Sequence, residues 1–214
     1  YLPILNNSSY CPPKMILNTS PMRKYVCLLI FSLYTCISDA ADILNIAVAS
    51  NMSHAVTDIA SSFLRETDIK ANFIFGSSGN FARQIIQGAP FRLFISADRK
   101  YVDLLRKNGM TLISDVEYAK GRIGLFVPND SEMFDSTDLK TVIKRLYHGK
   151  YKRIVIANPE HAPYGIAARK ALQSAGLWVV EQQRLLLAEN AAQATQIALS
   201  GNVDVGIIPV SFTH

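Results

Sequence analysis

From Ile43 onward the chain alternates short apolar runs with stretches of helical period. "ILNIAVA" (43–49) is a continuous apolar run of strand length. After it, Val56, Ile59, Ala60, Phe63 and Leu64 recur at i, i+3, i+4, i+7 and i+8 and put one apolar stripe on a helix. "IKANFIF" (69–75) predicts a strand, 80–87 a short helix closed by Gly88, and "RLFIS" (92–96) a strand before a helix over 99–108. "GRIGLFVP" (121–128) and "RIVIA" (153–157) predict strands on either side of a weak helix over 137–147. A helix from Gly165 to Ala175, the strand "RLLLA" (184–188), a helix from Ala191 to Ser200 and the strand "VDVGIIPV" (203–210) complete the pattern. Strands alternating with helices imply an α/β fold of parallel sheets covered on both faces.

The first forty residues follow other rules. Met22 opens a segment with Arg23 and Lys24, a 13-residue uncharged run from Tyr25 to Ile37, and small residues at Ser38 and Ala40. That is the pattern of a secretory signal peptide over 22–40, cut before Ala41. The run is too short to span a bilayer, which takes roughly 20 residues. Lipid attachment at Cys36 is disfavoured by Thr35 before it, and residues 1–21 read as an upstream extension outside the mature protein. The formal charge of +5 then falls to +3, because removing 1–40 leaves 19 basic against 16 acidic residues. So mild an excess does not argue for a nucleic-acid partner. All three cysteines, Cys11, Cys27 and Cys36, fall in the removed part, so disulfides and thiolate metal sites drop out of the mature protein.

Four strand-to-helix corners share a composition: "ASNMS" (49–53), "GSSGN" (76–80), "NPEHAPYG" (158–165) and "AENAA" (188–192). Any one of them reads as helix capping, since Ser and Asn there satisfy orphan amides. Together they suggest more, because ligands of open parallel sheets bind beyond the carboxyl ends of the strands. Helix N-termini present free N–H groups and a partial positive charge, and so hold anions without a cationic side chain. A hydrolase reading would use Ser77 or Ser78 as nucleophile with His161 as base, but "GSSG" is not the G-x-S-x-G elbow. The four histidines, His54, His148, His161 and His214, show no metal-ligand spacing, and Asp98 is expected to cap the 99–108 helix.

The stretch from Leu44 to His214 resembles the periplasmic molybdate-binding proteins of ABC importers. The resemblance is carried, in order, by "VASNMSHAVTDIASSF", "FGSSGNFARQIIQGAP", "LFISAD", "NPEHAPYGIAARKAL" and "AENAAQATQIALSGNVDVGII". It implies a type II periplasmic-binding fold of two α/β lobes closing on a tetrahedral oxyanion, with parallel and mixed sheets flanked by helices. Lobe I would hold 41–121 and continue through 206–214, lobe II would hold 122–205, and the chain would be truncated at its C-terminus. It also implies that molybdate or tungstate is held by Ser50, Asn51, Ser77, Ser78, Tyr164 and Ala191, the last through its backbone N–H alone. Some members carry a contacting tyrosine where this chain has Pro209, and Tyr164 stands in its place. The implied protein is no enzyme and has no cofactor. It is a periplasmic monomer that delivers its cargo to an inner-membrane permease. Sulfate or another oxyanion on the same fold is the alternative.

Overall fold

A computed structural model of the chain describes residues 43–110, 115–129, 139–148, 153–178 and 183–212. The expected extension (1–21), the export segment (22–40) and His214 lie outside the described residues. The elements run β1 (Leu44–Ala49), α1 (Ser53–Thr67), β2 (Ala71–Gly76), α2 (Ser78–Ile86), β3 (Leu93–Ile95) and α3 (Arg99–Lys107). They continue with β4 (Ile123–Phe126), α4 (Leu139–Tyr147), β5 (Ile154–Ala157), α5 (Pro163–Ser174), β6 (Leu185–Ala188), α6 (Ala191–Leu199) and β7 (Val205–Pro209). Single 3-10 turns follow β1 (Ser50–Met52) and β7 (Val210–Phe212).

The strands form two sheets. In the first, β2-β1-β3, all pairings are parallel, with Ala47 opposite Ile74 and Phe94. In the second, β4-β7-β5-β6, strands β5, β6 and β7 are parallel and β4 runs antiparallel to β7. The expectation that lobe I resumes at 206 is therefore corrected. Residues 205–209 pair with β5 and β4, so they belong to the second sheet, and the 210–212 turn follows them. There the Ser211 hydroxyl donates to the Asn51 carbonyl at 3.1 Å.

The period-two alternation of β5 explains how the second sheet is covered on both faces. Ile154 and Ile156 pack with Val142, Leu146, Ala168 and Leu172 from α4 and α5. Val155 and Ala157 turn the other way, onto Ala194 and Ala198 of α6. In the first sheet Ile46 and Val48 of β1 pack on Val56 of α1. The rest of the α1 stripe departs from expectation, for Ile59 is 60% and Leu64 46% exposed. Of that stripe, the described residues bury only what faces β1 directly.

Helix α5 lies unusually close to the end of β5. A Cβ on Gly165 would enter the Ala157 carbonyl group and the Asn158 backbone, so only glycine admits this approach. That contact sets the start of α5 at the edge of the site.

Candidate functional site: a cleft walled by helix starts

All four small-residue corners point into one cavity between the sheets. It is lined by Ser50 and Asn51 after β1, Ser77 and Ser78 after β2, Tyr164 at the start of α5 and Ala191 at the start of α6. The six residues singled out in the sequence are thus brought together. Five further residues share the wall: Ala49, Gly76, Ala162 and Pro163, which lie within the singled-out corners without being named as ligands, and Ala97, which lies outside them. None has a polar side chain, which is why residue type marked none of them as a donor. Among the described residues no charged side chain lines the cavity.

Capping explains less of this than composition suggests. Asn190 does cap α6, its Oδ1 accepting from Gln193 N–H at 3.0 Å, and Asp98 caps α3 by accepting from Lys100 N–H at 2.9 Å. Ser77, at the N-cap position of α2, makes no side-chain cap bond. Its Oγ lies 2.8 Å from His161 Nδ1, on the opposite side of the cleft. Ser50 Oγ likewise crosses over, accepting from the Ala192 N–H at 3.3 Å. The Ser78 hydroxyl is fully buried and accepts from Ala97 N–H at 3.0 Å, which leaves its own proton to donate.

The amides follow the same logic. The first N–H groups of a helix have no intrahelical acceptor. Ala191, at the first position of α6, and Ser78, at the first position of α2, carry such amides, and both residues line the cavity. Asn51 adds a carboxamide whose Oδ1 is buried without a hydrogen-bond partner. Rotating that amide by half a turn exchanges Oδ1 for Nδ2 and puts a donor in the same place. An orphaned buried amide beside free helix-start N–H groups suits an anion that accepts hydrogen bonds from every side.

Tyr164 is 9% exposed, and burial, followed by the nearby Tyr118, raises its pKa above the usual 10.0. It therefore keeps its proton at neutral pH. Its hydroxyl packs against Gly121, where an added Cβ would lie 2.5 Å from the phenolic oxygen. Pro209 is buried at the end of β7 opposite Ile123.

The histidines separate cleanly. His54 stacks edge-on against Phe212, with centroids 5.7 Å apart, and His148 lies at the end of α4. His161 reaches the cleft rim, and a Ser77–His161 pair is the geometry the hydrolase reading needed. Ser77 nevertheless has ordinary extended backbone (φ −86°, ψ 139°), without the strain of a nucleophile elbow.

The fold and cleft are those of a solute-binding protein. A profile of the bacterial extracellular solute-binding protein family matches residues 44–214, and the chain belongs to that family. Several molybdate-binding proteins are among its relatives. It is 35% identical over 180 residues to molybdate-binding protein ModA of Azotobacter vinelandii, covering 84% of this chain and 69% of that protein. With molybdate-binding protein ModA of Rhodobacter capsulatus the identity is 32% over 167 residues, 77% of this chain and 63% of that one. The solved periplasmic molybdate-binding protein of A. vinelandii superposes with a TM-score of 0.69 at 30% identity, over 78% of this chain and 71% of that one. The chain thus spans roughly two thirds of the length of these curated relatives.

Proposed function

We propose that the chain captures molybdate, and tungstate of nearly the same size, and carries it to an ABC permease. One observation carries the reading: four helix-start corners from two sheets meet in one cavity that, among the described residues, is lined by neutral groups alone. Molybdate is a dianion with four oxygens, ionised at neutral pH. Burying it unpaired would be prohibitive. Hydrogen bonds to a charged group contribute about 1.5–3 kcal/mol each, so a half-dozen fixed donors offset most of the desolvation.

In this reading Ser50, Asn51, Ser77, Ser78 and Tyr164 surround the anion with hydroxyl and amide groups, and Ala191 adds a backbone N–H. A lysine or arginine would hold any anion. Rigid neutral donors select by size, so sulfate, being smaller, would leave them slack. Phosphate carries a proton near neutrality and would need an acceptor that a donor-lined cavity does not supply. Loading closes the lobes by a hinge, and the closed form is what the permease recognises. The protein works as a periplasmic monomer after export through residues 22–40, without cofactor or catalytic step. Among the described residues no helix is long and apolar enough to cross a membrane.

Titration calorimetry of the full chain with molybdate, tungstate, sulfate and phosphate tests this reading. Tight, near-equal binding of the first two and at least tenfold weaker binding of the others is expected. Sulfate binding as tightly as molybdate would replace the assignment with that of a general oxyanion carrier.

A further inference from the structure

We propose that His161 is a positioning residue that bolts the two lobes together over the cleft and sets which way the Ser77 hydroxyl faces. The proposal rests on the oxyanion-capture reading above. His161 is 8% exposed and sits in the turn between β5 and α5. That turn is fixed locally: Asn158 Oδ1 accepts from Glu160 N–H at 3.0 Å, and the Asn158 carbonyl accepts from Ala162 N–H at 2.9 Å.

Three structural pieces of the first lobe converge on this one residue of the second. The His161 carbonyl accepts from Gly79 N–H of α2 at 2.9 Å and from the Tyr101 hydroxyl of α3 at 3.2 Å. Its ring Nδ1 meets Ser77 Oγ at 2.8 Å. On the far side Nε2 lies 3.6 Å from Glu189 Oε2, an electrostatic contact longer than a hydrogen bond. Glu189 in turn accepts from Asn80 of α2, which closes a ring of contacts across the cleft mouth. Gly79 is required for this approach, since a Cβ there would stand 2.5 Å from the His161 carbonyl oxygen. These cross-lobe bonds form and break with the opening of the lobes.

The ring also decides what Ser77 offers. A carboxylate facing Nε2 favours the proton on that nitrogen and leaves Nδ1 as acceptor. With that tautomer Ser77 gives its proton to His161; with the proton on Nδ1 instead, Ser77 accepts from the ring and its own proton is free for the cargo. The groups facing His161 are Glu189 from the β6–α6 turn, Tyr101 of α3 with Asp98 beside it, and Arg83 of α2 acting through Asn80. Glu160, next in the chain, is drawn outward by Arg169 at 3.6 Å.

Stopped-flow binding and displacement of molybdate on the full chain tests this. His161→Ala keeps both main-chain bonds of the turn. It should raise koff about tenfold while leaving kon within about twofold, because capture precedes closure and release must undo it. A folded His161→Ala variant with native koff would overturn the proposal. Should that variant not fold, Tyr101→Phe takes its place: a severalfold faster release supports the bolt, and an unchanged rate overturns it. If the native chain binds no molybdate, the capture reading fails on its own. Small-angle scattering then judges the bolt, since a native chain more compact than His161→Ala supports it and equal dimensions overturn it.

Discussion

A fully buried hydroxyl whose oxygen already accepts a backbone N–H has one proton left to give. Ser78 is in that position: it accepts from Ala97 at 3.0 Å, and its proton is available on the wall of the cleft. Ser78→Ala should weaken molybdate binding by about 1–3 kcal/mol, the worth of a hydrogen bond to a charged group. It should also lower the melting temperature, because the Ala97 amide loses its acceptor. Calorimetry and thermal unfolding on the same sample separate the two effects, and unchanged affinity in a folded variant would remove Ser78 from the site. At this scale the sequence showed which residue types gather but not what each hydroxyl does. Ser77 and Ser78 are adjacent and chemically identical in the string. One bonds a histidine 84 positions away and the other an amide 19 positions away, distances that local pattern does not encode.

Elements were legible almost to their ends, because apolar runs of strand length and 3.6-residue stripes are local signals. β1, predicted over 43–49, spans Leu44–Ala49, and the last helix, predicted from Ala191 to Ser200, spans Ala191–Leu199. Two things were not legible. The burial of the α1 stripe depends on what packs above it, which periodicity cannot say. The pairing of β7 in the second sheet depends on strand order. The approach of α5 to β5 gives an expectation at this scale. Gly165→Ala would drive a Cβ into the backbone at Ala157 and Asn158. Overpacking of that kind costs about 1–3 kcal/mol or more, so urea unfolding should show the loss of stability. An unperturbed midpoint would mean that the helix start can retreat without cost.

Across the whole molecule, three phenols share a raised pKa: Tyr101 and Tyr164 are buried, and Tyr118 is half exposed. Burial raises the pKa of Tyr101, Tyr118 and Tyr164 above 10.0, with the Asp98 carboxylate adding to the effect at Tyr101 and Tyr118 at Tyr164. The unfolded chain loses these protons first, so their contribution to stability is complete below about pH 10 and is lost as pH rises through the raised values. Denaturant unfolding should therefore show a fall in stability above pH 10 that is shallower when the three tyrosines are replaced by phenylalanine. Identical slopes would place the alkaline sensitivity elsewhere. The antiparallel β4–β7 pair has a mechanical consequence of its own. The chain enters the second sheet on β4 and leaves it on β7 along adjacent tethers, with Val210 N–H donating to the Arg122 carbonyl at 3.0 Å beside the Ile123–Pro209 pair. Two pins set side by side let a jaw swing about the line through them and resist sliding or twisting. Loading is then a movement in a single angle, and one pair of probes placed across the jaws would record the whole of it.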